Sequence, residues 1–245
     1  MPTSRNYTRR RVLTIAIVTA ASPAGVLSLN AGVPADRRVV AQSRFDVTSA
    51  PLQAEVVQLL VDFPPGAWTS WHTHGGQATN LVLEGEITLR HAGMEHPYRV
   101  GQAWTDSSGQ VHAAGNTGSG KARLLTNFLL PPGAPQTTAV QDSPFEPTIV
   151  YEARFPLPSL PAETEIVQQV VDLASGWHTE RASAGFTANL TIAGEMTYKV
   201  GPERKVCKAG EAWSAPAGTL VSEENRSAST ARVFTTNLLP RATGR

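Results

Sequence analysis

From Arg44 onward the chain repeats itself, at first at an offset of 110 residues. Arg44, Phe45, Pro51, Glu55, Val57, Gln58, Val61 and Asp62 return as Arg154, Phe155, Pro161, Glu165, Val167, Gln168, Val171 and Asp172. Further on the offset settles at 109, pairing Asn80 with Asn189, Gly85 with Gly194, Gly101 with Gly210, Trp104 with Trp213, Gly109 with Gly218 and Pro131 with Pro240. Two copies of this length indicate a duplicated domain, not a solenoid. Within each copy, short alternating runs are broken by turn residues, and the 20 Gly and 18 Pro suit many strands joined by turns. No helical periodicity of any length emerges after residue 42, so an all-β chain is expected.

The chemistry concentrates in the first copy. Gly66-Ala-Trp-Thr-Ser-Trp-His72-Thr-His74-Gly-Gly-Gln77-Ala78 leads into Leu81-Val-Leu-Glu-Gly85. A second block runs from Gly101 through Ser107 and Gly109 to His112 and Asn116. Alternate residues of a strand share a face, so His72 and His74 present two imidazoles to one side. A third imidazole, from His112 after a glycine turn, completes a facial site for a divalent metal.

These two blocks resemble the paired motifs of the cupin superfamily, G-x5-H-x-H-x3-E-x6-G and G-x5-P-x-G-x2-H-x3-N, with every spacing met. The resemblance implies two tandem cupin jelly-roll barrels preceded by an N-terminal signal segment. It also implies a metal bound by His72, His74 and His112, namely Fe, Ni, Mn or Zn. Two positions depart from the pattern. The family's glutamate falls on Ala78, and its proline on Ser107. Gln77 is the candidate substitute ligand through its amide oxygen, against an odd spacing that turns it outward. Trp68 and Tyr98 are candidate pocket residues, while Thr79, Leu81, Leu83 and Leu125 are expected to fill the barrel or its rim. His91 and His96 flank the Gly93 turn and are read as solvated.

In the second copy, Trp177-His178-Thr179-Glu180 is matched to Trp71-His72-Thr73-His74, and Val221 to His112. On that match His178 and Glu180 are the remnant of a metal site, and Trp177 is scaffold like Trp71. The second barrel is then a structural partner. Pro131-Pro132-Gly133-Ala134-Pro135, followed by a polar stretch to Pro144 and Pro147, reads as the linker. The domains are placed at 42–145 and 146–245.

Residues 1–41 read as an export leader. Arg5, Arg9, Arg10 and Arg11 precede a mild apolar run from Val12 to Ala21 and cleavage-like endings at Val33-Pro34-Ala35 and Val39-Val40-Ala41. Thr8-Arg9-Arg10-Arg11-Val12-Leu13 resembles the twin-arginine signal, which implies a periplasmic or extracellular protein with membrane contact only during export. Residues 1–35 hold four of the 21 Lys and Arg and none of the 20 Asp and Glu, so the remainder carries 17 against 20, a net charge of −3. Without basic clusters, nucleic acid is excluded as a partner. The single cysteine, Cys207, is expected to be a buried thiol.

For function, the resemblance implies a dioxygenase-type enzyme acting on a small organic molecule. The alternative is a secreted bicupin that binds a small ligand or a metal without catalysis. Either form is read as a monomer or homodimer.

Overall fold

The computed structural model describes residues 36–241; of the leader expected over 1–41, residues 1–35 lie outside them, and residues 37–41 form the start of the first strand. Among the described residues there are strands and turns but no helix. The first copy contributes β1 (Arg37–Val47), β2 (Ala54–Phe63), β3 (Trp71–Thr73), β4 (Gln77–Glu84), β5 (Glu86–His91), β6 (Met94–Arg99), β7 (Ala103–Asp106), β8 (His112–Gly115), β9 (Ala122–Leu130) and β10 (Thr138–Gln141). The second contributes β11 (Thr148–Leu157), β12 (Thr164–Leu173), β13 (His178–Ala182), β14 (Phe186–Ala193), β15 (Glu195–Val200), β16 (Glu203–Lys208), β17 (Ala212–Ala215), β18 (Leu220–Glu224) and β19 (Ala231–Pro240).

Each barrel is a pair of antiparallel sheets. In the first, β11-β2-β9-β4-β7 faces β10-β3-β8-β5-β6; in the second, β1-β12-β19-β14-β17 faces β13-β18-β15-β16. The two copies exchange their leading strands. β1 pairs along β12 of the second barrel, and β11 pairs along β2 of the first. Both otherwise open sheet edges are thereby covered within one chain. The expected boundary at residue 145 falls just before β11, so the sheets interlock across it.

The alternation of each strand divides its side chains between two cores. Ala78 and Val82 of β4 point into the first barrel with Ile87, Leu89, Trp104 and Phe128. Leu81 of β4 points the other way and meets Leu60 and Leu125, together with Val170, Leu190 and Phe234 of the second copy. Leu81, Leu83 and Leu125, expected to fill the barrel or its rim, build the seam between the two sheets instead. Polar groups cross that seam in a short chain of hydrogen bonds, Gln58 Nε2 donating to Thr236 Oγ1 (2.9 Å), which donates to Asn127 Oδ1 (2.8 Å), while Gln58 Oε1 and Asn127 Nδ2 are left without partners.

Several repeated residues have a structural reason. Asp62 and Asp172 each hold a bidentate arginine, Arg123 and Arg232, at 2.6 and 2.9 Å. Asn116 Nδ2 donates to the carbonyls of Phe63 and Gly120, and Asn225 Nδ2 clasps Leu173 and Ser229 in the same way. Gly85 turns β4 into β5 at φ 69°, where a side chain would also press on the Lys121 carbonyl. Cys207 is buried as expected.

Candidate metal centre

β3 and β8 are neighbours in one sheet, and their single bridge sets His72 opposite His112. His74 follows β3 by one residue and returns to the same face. The three rings are buried, with centroids 4.3 to 4.8 Å apart, and their ligand atoms all lie within 4.8 Å of one another. No other group of this kind occurs among the described residues.

Each ring is oriented through its Nδ1. His72 donates to the Ser70 carbonyl (2.6 Å), His74 to that of Gln136 (2.8 Å) and His112 to that of Gln110 (2.9 Å). A proton fixed on Nδ1 leaves the Nε2 lone pair free, which is the tautomer a metal ligand needs. Burial, first among the causes, lowers the pKa of all three rings, that of His74 to about 3. Three neutral donors converging in a dry pocket fit a divalent cation.

Gln136 belongs to the segment expected to be linker only. Gly75 N donates to Pro135 O (2.9 Å), and β10 then pairs with β3. The proline-rich stretch is thus the outer wall of the site, and it aims His74.

A carboxylate that sequence reasoning missed stands beside the histidines. Asp106, at the end of β7, lies directly across from Ala78, the position of the family's glutamate. It is 2% exposed, and its Oδ2 accepts from Asn80 Nδ2 (2.8 Å) and Trp104 Nε1 (3.0 Å). The same oxygen lies 3.5 Å from His112 Nε2, too far for a good hydrogen bond, and Oδ1 has no partner at all. Burial raises the Asp106 pKa to about 6, against the lowering effect of Trp104 and Asn80. With the imidazole held neutral, the contact is not an ion pair. A cation at the histidines would supply the charge this carboxylate lacks. One signal for Asp106 was available in the sequence: its counterpart in the second copy is Ala215, so it is lost there along with the ligands.

The remaining candidates lie elsewhere. Gln77 shares the outward parity of Leu81 and donates to Thr105 Oγ1 (3.0 Å), so it is not a ligand. Trp68 sits on the opposite face of β8 from His112. Its ring covers Gly115, and the Arg90 guanidinium stacks over it at 3.6 Å. Tyr98 packs on Trp104 at 4.5 Å and reaches the site only through that ring. His91 pairs with His112 across β5 and β8 and is half-buried, not solvated as expected.

The second barrel requires a correction. In β13 and β18 it is Arg181 that lies opposite Val221, as His72 lies opposite His112. Gly218 N donates to Ser183 O as Gly109 N donates to His74 O, and Asn225 N donates to Trp177 O as Asn116 N donates to Ala67 O. The ligand positions are therefore Arg181, Ser183 and Val221. Trp177 corresponds to Ala67, and the exposed His178 and Glu180 are not a metal-site remnant. A one-residue shortening between Trp177 and Arg181 displaced the similar-looking string.

A family model described as the cupin domain matches residues 59–128, which span the first barrel's core and all three histidines. The first barrel therefore carries a cupin domain, and the chain as a whole has the fold of two such jelly-roll barrels joined by exchanged strands. Among solved structures it is similar to AerE from Microcystis aeruginosa, at 17% identity and a TM-score of 0.53, over 82% of this chain and 98% of that one. It is similar to oxalate decarboxylase from Bacillus subtilis, at 11% identity and 0.54, over 85% and 77%. Vicilin from tomato, Solanum lycopersicum, matches at 10% identity and 0.57, over 77% and 75%. At these identities the likeness is one of fold. No curated protein sequence matches the chain.

Proposed function

We propose that this chain is an exported enzyme of the dioxygenase type, acting on a small organic molecule at a divalent metal held by His72, His74 and His112. The observation that carries the reading is the set of three buried imidazoles, each with Nδ1 committed to a backbone carbonyl and Nε2 left free. Bound there, an ion such as Fe(II), Ni(II) or Mn(II) would supply Lewis acidity and a place for dioxygen beside the substrate. The protein's own part is to orient the ligands, exclude water with Phe128, Ile87 and Leu89, and hold a proton at Asp106. The Oδ1 of Asp106 is unpartnered and free to take a proton, and a pKa near 6 suits both taking and returning one close to neutrality.

Of the two cleavage positions expected for the leader, the first spares the β1 pairing. Asp36 O accepts from Ala174 N at 2.8 Å and β1 begins at Arg37, so cleavage after Ala35 leaves β1 whole. Cleavage after Ala41 would remove its first pairs with β12.

The competing reading, a non-catalytic binder, is favoured by one feature. Packed side chains surround the histidines, whereas a cavity of about 460 Å³ lies in the second barrel. Elemental analysis of the purified protein beside a His112→Ala variant, followed by oxygen-electrode assays with small chelating carboxylates and diols, separates the two. About one equivalent of a redox metal, lost in the variant, with substrate-dependent oxygen uptake is expected. A protein that takes up no metal even on reconstitution refutes the enzyme reading.

A further inference from the structure

Where the first barrel presents the metal ligand His72, the second barrel presents the fixed positive charge of Arg181. We infer that its cavity binds a small organic anion, a monocarboxylate with an apolar body, gripped by Arg37 and Arg181. The inference stands independently of any chemistry in the first barrel.

Three observations carry it. First, Arg181 holds the register position of His72, so a guanidinium stands where the first barrel presents a metal ligand. The other two ligand positions, Ser183 and Val221, offer no imidazole or carboxylate, and a cation would be repelled. Second, Arg37 reaches the same cavity from β1, the strand that crossed over from the first copy. Its side chain donates only to Gln169 Oε1 (2.9 Å), and it makes no ion pair among the described residues. Glu223, buried and 3.6 Å from Arg181, is the one carboxylate lining the cavity. Arg44 at the rim is already satisfied by Glu165 at 3.0 Å. Arg37 and Arg181 against Glu223 leave one positive charge uncompensated, which suits a monoanion.

Third, a buried donor lines the cavity without an acceptor. Asn189 corresponds to Asn80, whose amide in the first barrel donates to Asp106. Ala215 replaces that carboxylate in the second barrel, and Asn189 Nδ2 is left unpartnered at 2% exposure. A buried amide without a partner is costly, and a ligand oxygen would relieve it. Trp177, Met196, Val171 and Val233 supply the apolar floor, so the ligand is a carboxylate head on a hydrocarbon or aromatic body.

The test uses the full mature chain, with calorimetric titration and tryptophan fluorescence as readouts. Octanoate and benzoate are compared with octanol, benzyl alcohol and inorganic phosphate. Saturable carboxylate binding is expected, with the alcohols and phosphate weaker by about 10-fold or more. Arg37→Gln and Arg181→Gln should each weaken binding about 10- to 100-fold at unchanged melting temperature, whereas Glu223→Gln should tighten it. Because Arg181 is half exposed, its variant tests the idea even if Arg37→Gln disturbs β1. Equal binding of alcohols, competition by phosphate on a par with the carboxylates, indifference to both arginines, or no binding would each overturn the assignment. So would loss of binding in His112→Ala, which would place the anion at the metal centre.

Discussion

Replacing Asp106 with asparagine should stabilise the metal-free protein and weaken its hold on metal. The carboxyl titrates near 6 in the fold against 3.8 ordinarily, chiefly because burial disfavours its charge. A shift of about two units corresponds to about 3 kcal/mol at roughly 1.4 kcal/mol per unit. The sign follows from which state holds the proton. Below about pH 4 both folded and unfolded chains are protonated at this site, and the group contributes nothing. Between about 4 and 6 only the unfolded chain ionises, so stability falls as pH rises; above about 6 the full penalty applies. Asparagine keeps an oxygen for Trp104 and Asn80 and carries no charge. At pH 8 the metal-free variant should therefore melt about 6 to 12 °C higher than the parent, by the usual scaling for a chain of this size. The gap should close as pH falls toward 4. With metal present the order reverses, because the cation favours the ionised carboxylate, and affinity for Co(II) should drop about 10- to 100-fold in the variant. Calorimetric melting of chelator-treated protein across pH, paired with Co(II) absorption titrations, measures both halves. Equal melting at pH 8, or a difference that ignores pH, would refute the reasoning.

Returning the carboxylate to β4 in the double variant Ala78→Glu with Asp106→Ala should restore Co(II) affinity to within about 10-fold of the parent, because the two positions face each other across β4 and β7. His74, held neutral down to about 3 against an ordinary 6.5, should make the metal-free fold lose stability as pH falls through that interval, and His74→Gln should flatten the loss in the same melting series. At Gly76 a Cβ would lie 2.1 Å from the Leu129 carbonyl, so Gly76→Ala should cost about 1 to 3 kcal/mol in denaturant unfolding and displace the adjacent His74. Mass spectrometry of the exported protein should find Asp36 as the first residue; a start at Gln42 would mean that the mature chain lacks Arg37 and the first part of β1.

Much of this molecule is written locally. The duplication, the strand character and the trio His72, His74 and His112 follow from spacing, because a two-residue period and a glycine turn decide which side chains share a face. Even the loss of the third ligand at Val221 is visible in the sequence alone. What could not be read there depends on neighbours across strands. Asp106 is 28 residues from Ala78 in the sequence and opposite it in the sheet, so only pairing reveals the carboxylate. The linker's Gln136 aims His74 through a backbone carbonyl, which no residue type advertises. In the second copy, one shortened turn slid His178 and Glu180 into apparent register, while hydrogen bonds set Arg181 and Ser183 at the ligand positions. The exchange of β1 and β11 has the same origin: two copies with nearly equal edges pair wherever the chain's reach and the burial of both seams are best satisfied, and that is settled by the folded whole.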